Sequence, residues 1–150
     1  YRMKRLLVFV FAVAIVNISY SQLGAVENKN SDPEIVGKIM IANRTFMVLD
    51  VQEVNGEELY SYSFYDLEYA SLNKFETFTI NKTAKEELYE LIKNLCSKKE
   101  KKEFDFKSLT GKDIKLLAEK GRVRFTITDE VFYHTSQYFS LKQINKLYGK

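Results

Sequence analysis

The chain has 150 residues, of which 45% are apolar, with 23 basic and 20 acidic side chains and a formal net charge of +3. Residues 1–21 contain three of the basic side chains and no acidic one, so the other 129 residues carry 20 charges of each sign. This balance excludes the strongly basic surface that nonspecific nucleic-acid binding needs, and the single cysteine, Cys96, excludes an intramolecular disulfide.

The first 21 residues predict a signal peptide. Three basic residues precede the apolar run LLVFVFAVAIV at residues 6–16. Eleven helical residues rise about 16 Å, roughly half of a bilayer's hydrocarbon core. Ser19 and Ser21 are the small residues that a signal peptidase recognises before its cleavage site. We therefore expect cleavage between Ser21 and Gln22 and a periplasmic or secreted product. The alternative is a retained N-terminal anchor, and only this uncleaved segment would place the protein on a membrane.

Residues 22–34 predict a flexible N-terminal segment that ends in the polar run ENKNSDPE. Residues 35–150 contain no low-complexity tract or internal linker, and they are enough to bury a hydrophobic core without disulfides. We therefore expect one folded domain over residues 35–150.

Two hairpins are predicted from their turns. Asn55-Gly56 suits a two-residue type I′ turn, because both residues tolerate the positive φ that this turn requires. Lys120-Gly121 is taken as a second two-residue turn. Each turn fixes a register that places apolar side chains on one face of the sheet. The predicted facing pairs are Val51–Tyr60, Leu49–Tyr62 and Met47–Phe64 in the first hairpin, and Ala118–Val123, Leu116–Phe125 and Ile114–Ile127 in the second.

Other segments predict further strands and two helices. Thr83 to Glu86 is a capping-box pattern that opens an amphipathic helix over residues 84–97. Ser140 to Gln143 repeats the pattern before a second helix, for which Gly149 is the stop. The additional strands are predicted at Ile35–Ala42, Phe75–Ile80, Glu103–Lys107 and Val131–Phe139.

This order of elements predicts an α+β fold. We expect one antiparallel β-sheet with the two amphipathic helices packed on one face, and the signal helix separate from it. Residues 36–97 and 103–149 each read as antiparallel strands followed by a capped helix, which suggests a degenerate duplication.

Two residues are candidates for special chemistry. Cys96, at the edge of the apolar stripe of the first helix, is expected to be a buried apolar residue, with a disulfide to a second chain as the alternative. The lone His134 faces the core opposite Phe125 if Asp129-Glu130 form a two-residue turn, and one more loop residue turns it outward. It has no HxH or HxxxH spacing, so neither a metal site nor a cofactor is predicted.

No catalytic residue is predicted either. The sequence contains no GxSxG, HExxH, CxxC, Walker or dinucleotide-binding motif. A small hydrolase that uses carboxylates remains an alternative, because several acidic residues surround the first hairpin. These are Asp50, Glu53, Glu57, Glu58, Asp66 and Glu68.

Aromatic residues are the candidates for binding. Seven aromatic residues supply more rings than one small core obviously needs, although core packing is their default explanation. They are Tyr60, Tyr62, Tyr65, Tyr69, Phe132, Tyr133 and Tyr138. The selected binding residues are Tyr65, Tyr69, Tyr133 and Tyr138. The expected partner is a protein, glycan or lipid of the cell envelope, and no nucleic acid.

The leader that ends in SYS before Gln22, the body rich in Lys, Tyr and Phe, and the closing FSLKQINKLYGK resemble small exported proteins of the Bacteroidetes type. The resemblance implies export across the inner membrane and assigns no role to any residue. We expect an exported, non-enzymatic binding or envelope accessory module. A homo-oligomeric structural component, assembled through an edge strand or Cys96, is the other alternative to the hydrolase.

Overall fold

The computed structural model of the chain describes residues 30–150. The predicted signal peptide and residues 22–29 lie outside the described residues. The described part is a mixed α+β structure, as predicted, with a short 3-10 turn at Ala70–Leu72. Its elements are β1 (Glu34–Ile41), β2 (Arg44–Val54), β3 (Glu57–Tyr65), β4 (Phe75–Asn81), α1 (Lys82–Lys98), β5 (Lys102–Lys107), β6 (Asp113–Glu119), β7 (Arg122–Thr128), β8 (Tyr133–Thr135), β9 (Phe139–Ser140) and α2 (Leu141–Leu147).

The strands form two antiparallel sheets, so the prediction of one sheet was wrong. One sheet has the order β1-β2-β3-β4, and the other has the order β5-β6-β7-β8 with β9 also paired to β7. Each sheet has one apolar face, and the two faces pack together: the Phe78 ring centroid lies 5.6 Å from that of Phe125. Closing the core between two sheets buries more apolar surface than two short helices could cover alone.

Both predicted hairpin registers are confirmed. Tyr62 lies opposite Leu49, and Phe125 lies opposite Leu116. All four side chains are fully buried. The one-sided pattern arises because a two-residue turn sets the pairing, and side chains then alternate between faces with a period of two.

The strand predicted at Val131–Phe139 is broken into β8 and β9. The Ser136 N–H still donates to the Phe125 carbonyl at 2.9 Å, in the register of β8, but the Ser136 hydroxyl takes the place of its carbonyl and accepts from the Phe125 N–H at 2.9 Å. Pairing with β7 resumes at β9 with the register shifted by one residue. The preceding turn is closed by Asp129 and Phe132, which exchange backbone hydrogen bonds of 2.9 and 3.2 Å. His134 therefore lies opposite Ile127.

Of the two orientations that the sequence leaves open for His134, the structure shows the inward one, opposite Ile127 instead of Phe125. Moving the two-residue turn by one position, from Asp129-Glu130 to Glu130-Val131, changes the pairing partner by two residues. A change of two keeps each side chain on its original face of the sheet. His134 is accordingly buried.

Both helices contribute buried side chains to the same hydrophobic core as the sheets. Helix α1 contacts strands of both sheets, whereas α2 contacts mainly β1. Helix α1 begins at Lys82, two residues before its predicted start, because the Asn81 side chain caps it by accepting from the Ala84 N–H at 2.8 Å. The predicted Ser140–Gln143 capping box of α2 is confirmed. None of the helices in the described part of the chain has the length and apolar character needed to cross a membrane.

Candidate functional site

One end of the two sheets is joined by two loops. The β3–β4 connection occupies residues 66–74, and the β7–β8 turn lies beside it. The Leu67 N–H donates to the Thr135 carbonyl at 2.8 Å, and the Thr135 N–H donates to Asp66 Oδ1 at 3.1 Å. Segments almost 70 residues apart in the chain are therefore held edge to edge at this point.

Asp66 is the centre of this junction. Its side chain is fully buried, and Oδ1 also accepts from the Glu68 N–H at 3.1 Å. Asp66 Oδ2 lies 2.7 Å from His134 Nδ1. An ionised carboxylate can only accept hydrogen bonds, so we assign His134 Nδ1 as the donor to Asp66 Oδ2.

Glu76, on β4, adds a second carboxylate to the pair. Its Oε1 lies 3.7 Å from His134 Nδ1 and 2.6 Å from the Lys74 ammonium. The Lys112 ammonium lies 3.9 Å from Glu76 Oε2. The hydrogen bond to Glu76 raises the pKa of Lys74, which favours its charged form.

Ligand atoms of Asp66, Glu76 and His134 all lie within 4.8 Å of one another. Our sequence-based prediction of no metal-binding group missed this cluster. Local spacing could not reveal it, because the three residues come from the end of β3, from β4 and from β8. Only the pairing of strands and the meeting of the two sheets bring them together.

A cavity of about 260 Å³ opens beside the histidine. Its rim is aromatic: the Tyr69 ring centroid lies 6.0 Å from that of Phe132 and 5.5 Å from that of His134. Neighbouring apolar side chains are exposed to solvent, Phe132 by 52% and Leu72 by 68%. We name this cavity the Phe132 pocket, which is lined by Tyr69, Leu72, Lys74, Asp129, Phe132 and His134.

Of the four predicted binding tyrosines, one lines this pocket. Tyr69 forms part of its rim. Tyr133 is 63% exposed, but it lies between Phe132 and His134 in the chain, and alternation along β8 turns its side chain to the opposite face. Phe132, which the sequence analysis counted among the seven aromatic residues but not among the four selected tyrosines, is the exposed ring beside Tyr69.

The other two tyrosines are elsewhere. Tyr65 is buried, its hydroxyl donates to the Ala70 carbonyl at 2.6 Å, and the Arg44 guanidinium lies 4.1 Å from its ring centroid. This ring supports the β3–β4 connection from the inside, where no partner can reach it. Tyr138 is half-buried and donates to Glu119 Oε2 at 3.1 Å, in a separate cavity, and burial raises the pKa of its phenol.

Cys96 is buried, as the preferred interpretation predicted. Burial raises the pKa of its thiol and so disfavours the reactive thiolate. Disulfide exchange with a second chain would require α1 to open, because attack needs direct access to the sulfur.

Glu58, near the turn of the first hairpin, does not form one site with Asp66. Glu58 is the second residue of β3, and Asp66 directly follows that strand, eight positions further on. At about 3.3 Å per residue, they are separated by about 26 Å. Glu58 instead pairs with Lys82 at 2.9 Å, and the hydrogen bond from Lys82 is the main cause of its lowered pKa.

Comparisons of the chain with protein-family models, with curated proteins and with solved structures find no match. The fold and the site define a small α+β protein with two packed antiparallel sheets and, where they meet, a pocket surrounded by aromatic and apolar side chains. Its function is therefore inferred from the site itself.

Proposed function

We propose that this protein is an exported, non-enzymatic binding module and that the Phe132 pocket is its binding surface. The observation that carries the proposal is the convergence of exposed apolar side chains from two loops around one cavity. Exposed apolar groups that surround a pocket are typical of interaction sites, because water leaves them when a partner binds. Export is supported by the charge, length and small residues of the first 21 positions.

A protein is the partner that the pocket favours. Its volume of about 260 Å³ lies below the roughly 300–1,000 Å³ of pockets that enclose drug-sized ligands. One apolar side chain of a partner fits this space, whereas a lipid or an oligosaccharide would remain largely outside it. The main polar groups are also engaged with each other, since His134 pairs with Asp66 and Lys74 with Glu76, so few donors remain for sugar hydroxyls.

The base of the pocket is built to stay in place. Asp66 ties the β3–β4 connection to β8 through bonds to His134 Nδ1 and the Thr135 N–H. Tyr65 anchors the same connection through the Ala70 carbonyl. A preorganised rim lowers the entropic cost of association, which favours a stable complex from a small contact area.

The test compares matched variants on envelope extracts. Phe132→Asp and Leu72→Asp place a charge on the rim, whereas Leu109→Asp changes a similarly exposed leucine (55%) away from the pocket. We expect one set of proteins to be retained by the wild type and by Leu109→Asp and lost from both rim variants. For the purified partner, Phe132→Asp should weaken binding at least about tenfold, as expected for an anchor residue. Equal retention by all variants would exclude the pocket as the binding surface.

A homo-oligomeric structural component is the second candidate. Strand β1 is an edge strand whose Ile35 and Met40 are 52% and 56% exposed. Among the described strands it pairs with β2 alone, and an open edge with apolar side chains can pair with a second copy. Analytical ultracentrifugation should then show a dimer that Met40→Lys converts to monomer. A wild-type monomer at high concentration would exclude this candidate.

We also propose that the two halves, residues 36–97 and 103–149, are a degenerate duplication. What supports this is the shared order of elements, a run of antiparallel strands followed by a helix with a side-chain N-cap. A variant that carries the first half alone should associate with the separately expressed second half, because each half leaves one apolar sheet face uncovered.

A further inference from the structure

We propose that Asp66, Glu76 and His134 form a binding site for a divalent transition-metal ion, with Zn²⁺ as the best-fitting ion. This site is distinct in chemistry from the apolar rim, and the inference does not depend on the proposed protein partner. It rests on three buried or nearly buried side chains that supply two carboxylate oxygens and an imidazole nitrogen at one point in the fold.

The geometry is close to that of a coordinated ion. Bonds of about 2.1 Å at tetrahedral angles place ligand atoms about 3.4 Å apart. His134 Nδ1 lies 2.7 Å from Asp66 Oδ2 and 3.7 Å from Glu76 Oε1. The first distance must open by about 0.7 Å and the second must close slightly, movements that side-chain rotation can provide. Metal binding also displaces the Nδ1 proton, so the ion takes the place of the hydrogen bond.

The donor set selects the class of ion. Ca²⁺ prefers six to eight oxygen ligands and Mg²⁺ keeps a shell of waters, whereas imidazole nitrogen suits Zn²⁺ and its neighbours in the transition series. Three protein ligands leave a coordination position for water or for a group in the adjacent cavity, since His134 also lines the Phe132 pocket.

Substitution of Lys74 distinguishes a metal-binding site from a cluster of ion pairs that has only a structural role. Its ammonium lies 2.6 Å from Glu76 Oε1, and its side chain is 49% exposed, so it can swing into solvent. Lys74 therefore competes with the metal for one ligand atom. Replacing it with an uncharged side chain should strengthen Zn²⁺ binding without creating saturable Ca²⁺ or Mg²⁺ binding, whereas a cluster that only pairs charges would attract all three cations alike.

The experiment is calorimetric titration of Zn²⁺ into tag-free, chelator-treated protein. We expect one ion to bind per chain, and Glu76→Gln and His134→Ala each to weaken binding at least about tenfold. Lys74→Met should tighten Zn²⁺ binding about twofold to fivefold, which is the change in affinity that corresponds to the free energy of an exposed ion pair. Titrations with Mg²⁺ and Ca²⁺ should show no saturable binding.

Matched variants distinguish Zn²⁺ binding from binding of the proposed protein partner. Phe132→Ala removes the rim but none of the ligands, so Zn²⁺ affinity should not change even where partner binding is lost. Glu76→Gln keeps the shape of the side chain, which leaves a folded protein even if His134→Ala unfolds. The absorption spectrum of the Co²⁺ complex reports the coordination directly and should change in Glu76→Gln. Absence of saturable Zn²⁺ binding, or binding that Glu76→Gln leaves unaltered, would overturn the proposal.

Discussion

Replacing Asp66 with alanine should destabilise the protein by removing the acceptor that joins the ends of the two sheets. Its carboxylate receives hydrogen bonds from His134 Nδ1 and from the Thr135 and Glu68 N–H groups. Water can replace the bond to Glu68, which is exposed. The donors on His134 and Thr135 are buried or partly buried and would lose this partner, and the next carboxylate oxygen, Glu76 Oε1, lies 3.7 Å from His134 Nδ1, beyond hydrogen-bond distance.

The magnitude follows from these two donors. A buried donor left without an acceptor costs about 1–3 kcal/mol, so two cost about 2–6 kcal/mol. Removing a buried carboxylate also relieves its desolvation, which offsets part of the loss. We expect Asp66→Ala to lower the free energy of unfolding by about 3 kcal/mol. Asp66→Asn keeps an oxygen for Thr135 and should cost about 1–2 kcal/mol.

Urea denaturation followed by circular dichroism at neutral pH measures these differences. The denaturation midpoint should fall while its slope stays constant, because the surface exposed on unfolding is unchanged. Asp105→Ala, an exposed aspartate on β5, is the matched control and should change stability by less than about 0.5 kcal/mol. If Asp66→Ala cost less than about 1 kcal/mol, or no more than Asp66→Asn, the role assigned to this carboxylate would be refuted.

Four further outcomes are expected. In Gly37→Ala, the new methyl group would lie 2.5 Å from the Leu147 carbonyl oxygen, so thermal denaturation should show a loss of about 1–3 kcal/mol as α2 shifts. Tyr148→Phe leaves the buried Tyr62 hydroxyl without its 2.6 Å partner and should cost about 1–3 kcal/mol, and adding Tyr62→Phe should recover part of that loss. Burial raises the pKa of both phenols. Their contribution to the free energy of unfolding is therefore complete below about pH 10, the pKa of tyrosine in unfolded chains, and is lost as the pH rises above that value. Denaturation curves recorded at alkaline pH will show this loss. Cys96 should react with maleimide at neutral pH only after denaturant is added, and rapid labelling of the native protein would contradict its burial.

Local chemistry allowed the sequence to predict the hairpins and their buried faces. The Asn55-Gly56 turn forces a two-residue loop, and alternation then assigns Leu49 and Tyr62 to the core without knowledge of anything else in the chain. Alternation alone left the orientation of His134 open, because one more loop residue would have reversed it; the observed two-residue turn at Glu130-Val131 makes it inward. The α1 start was missed because Asn81, an equally good cap, precedes the predicted Thr83.

The arrangement of the strands in two sheets, and the site at their junction, were decided by the tertiary structure. Nothing local shows that β4 and β5 belong to different sheets, because that depends on how much apolar surface each arrangement buries. The pairing of Asp66 with His134 spans 68 positions, and nothing in the sequence around either residue indicates its partner. The sequence by itself determines contacts whose partners are set by a turn or a helical repeat. Contacts between distant segments exist only once burial has selected one packing of the sheets, and this site consists of such contacts.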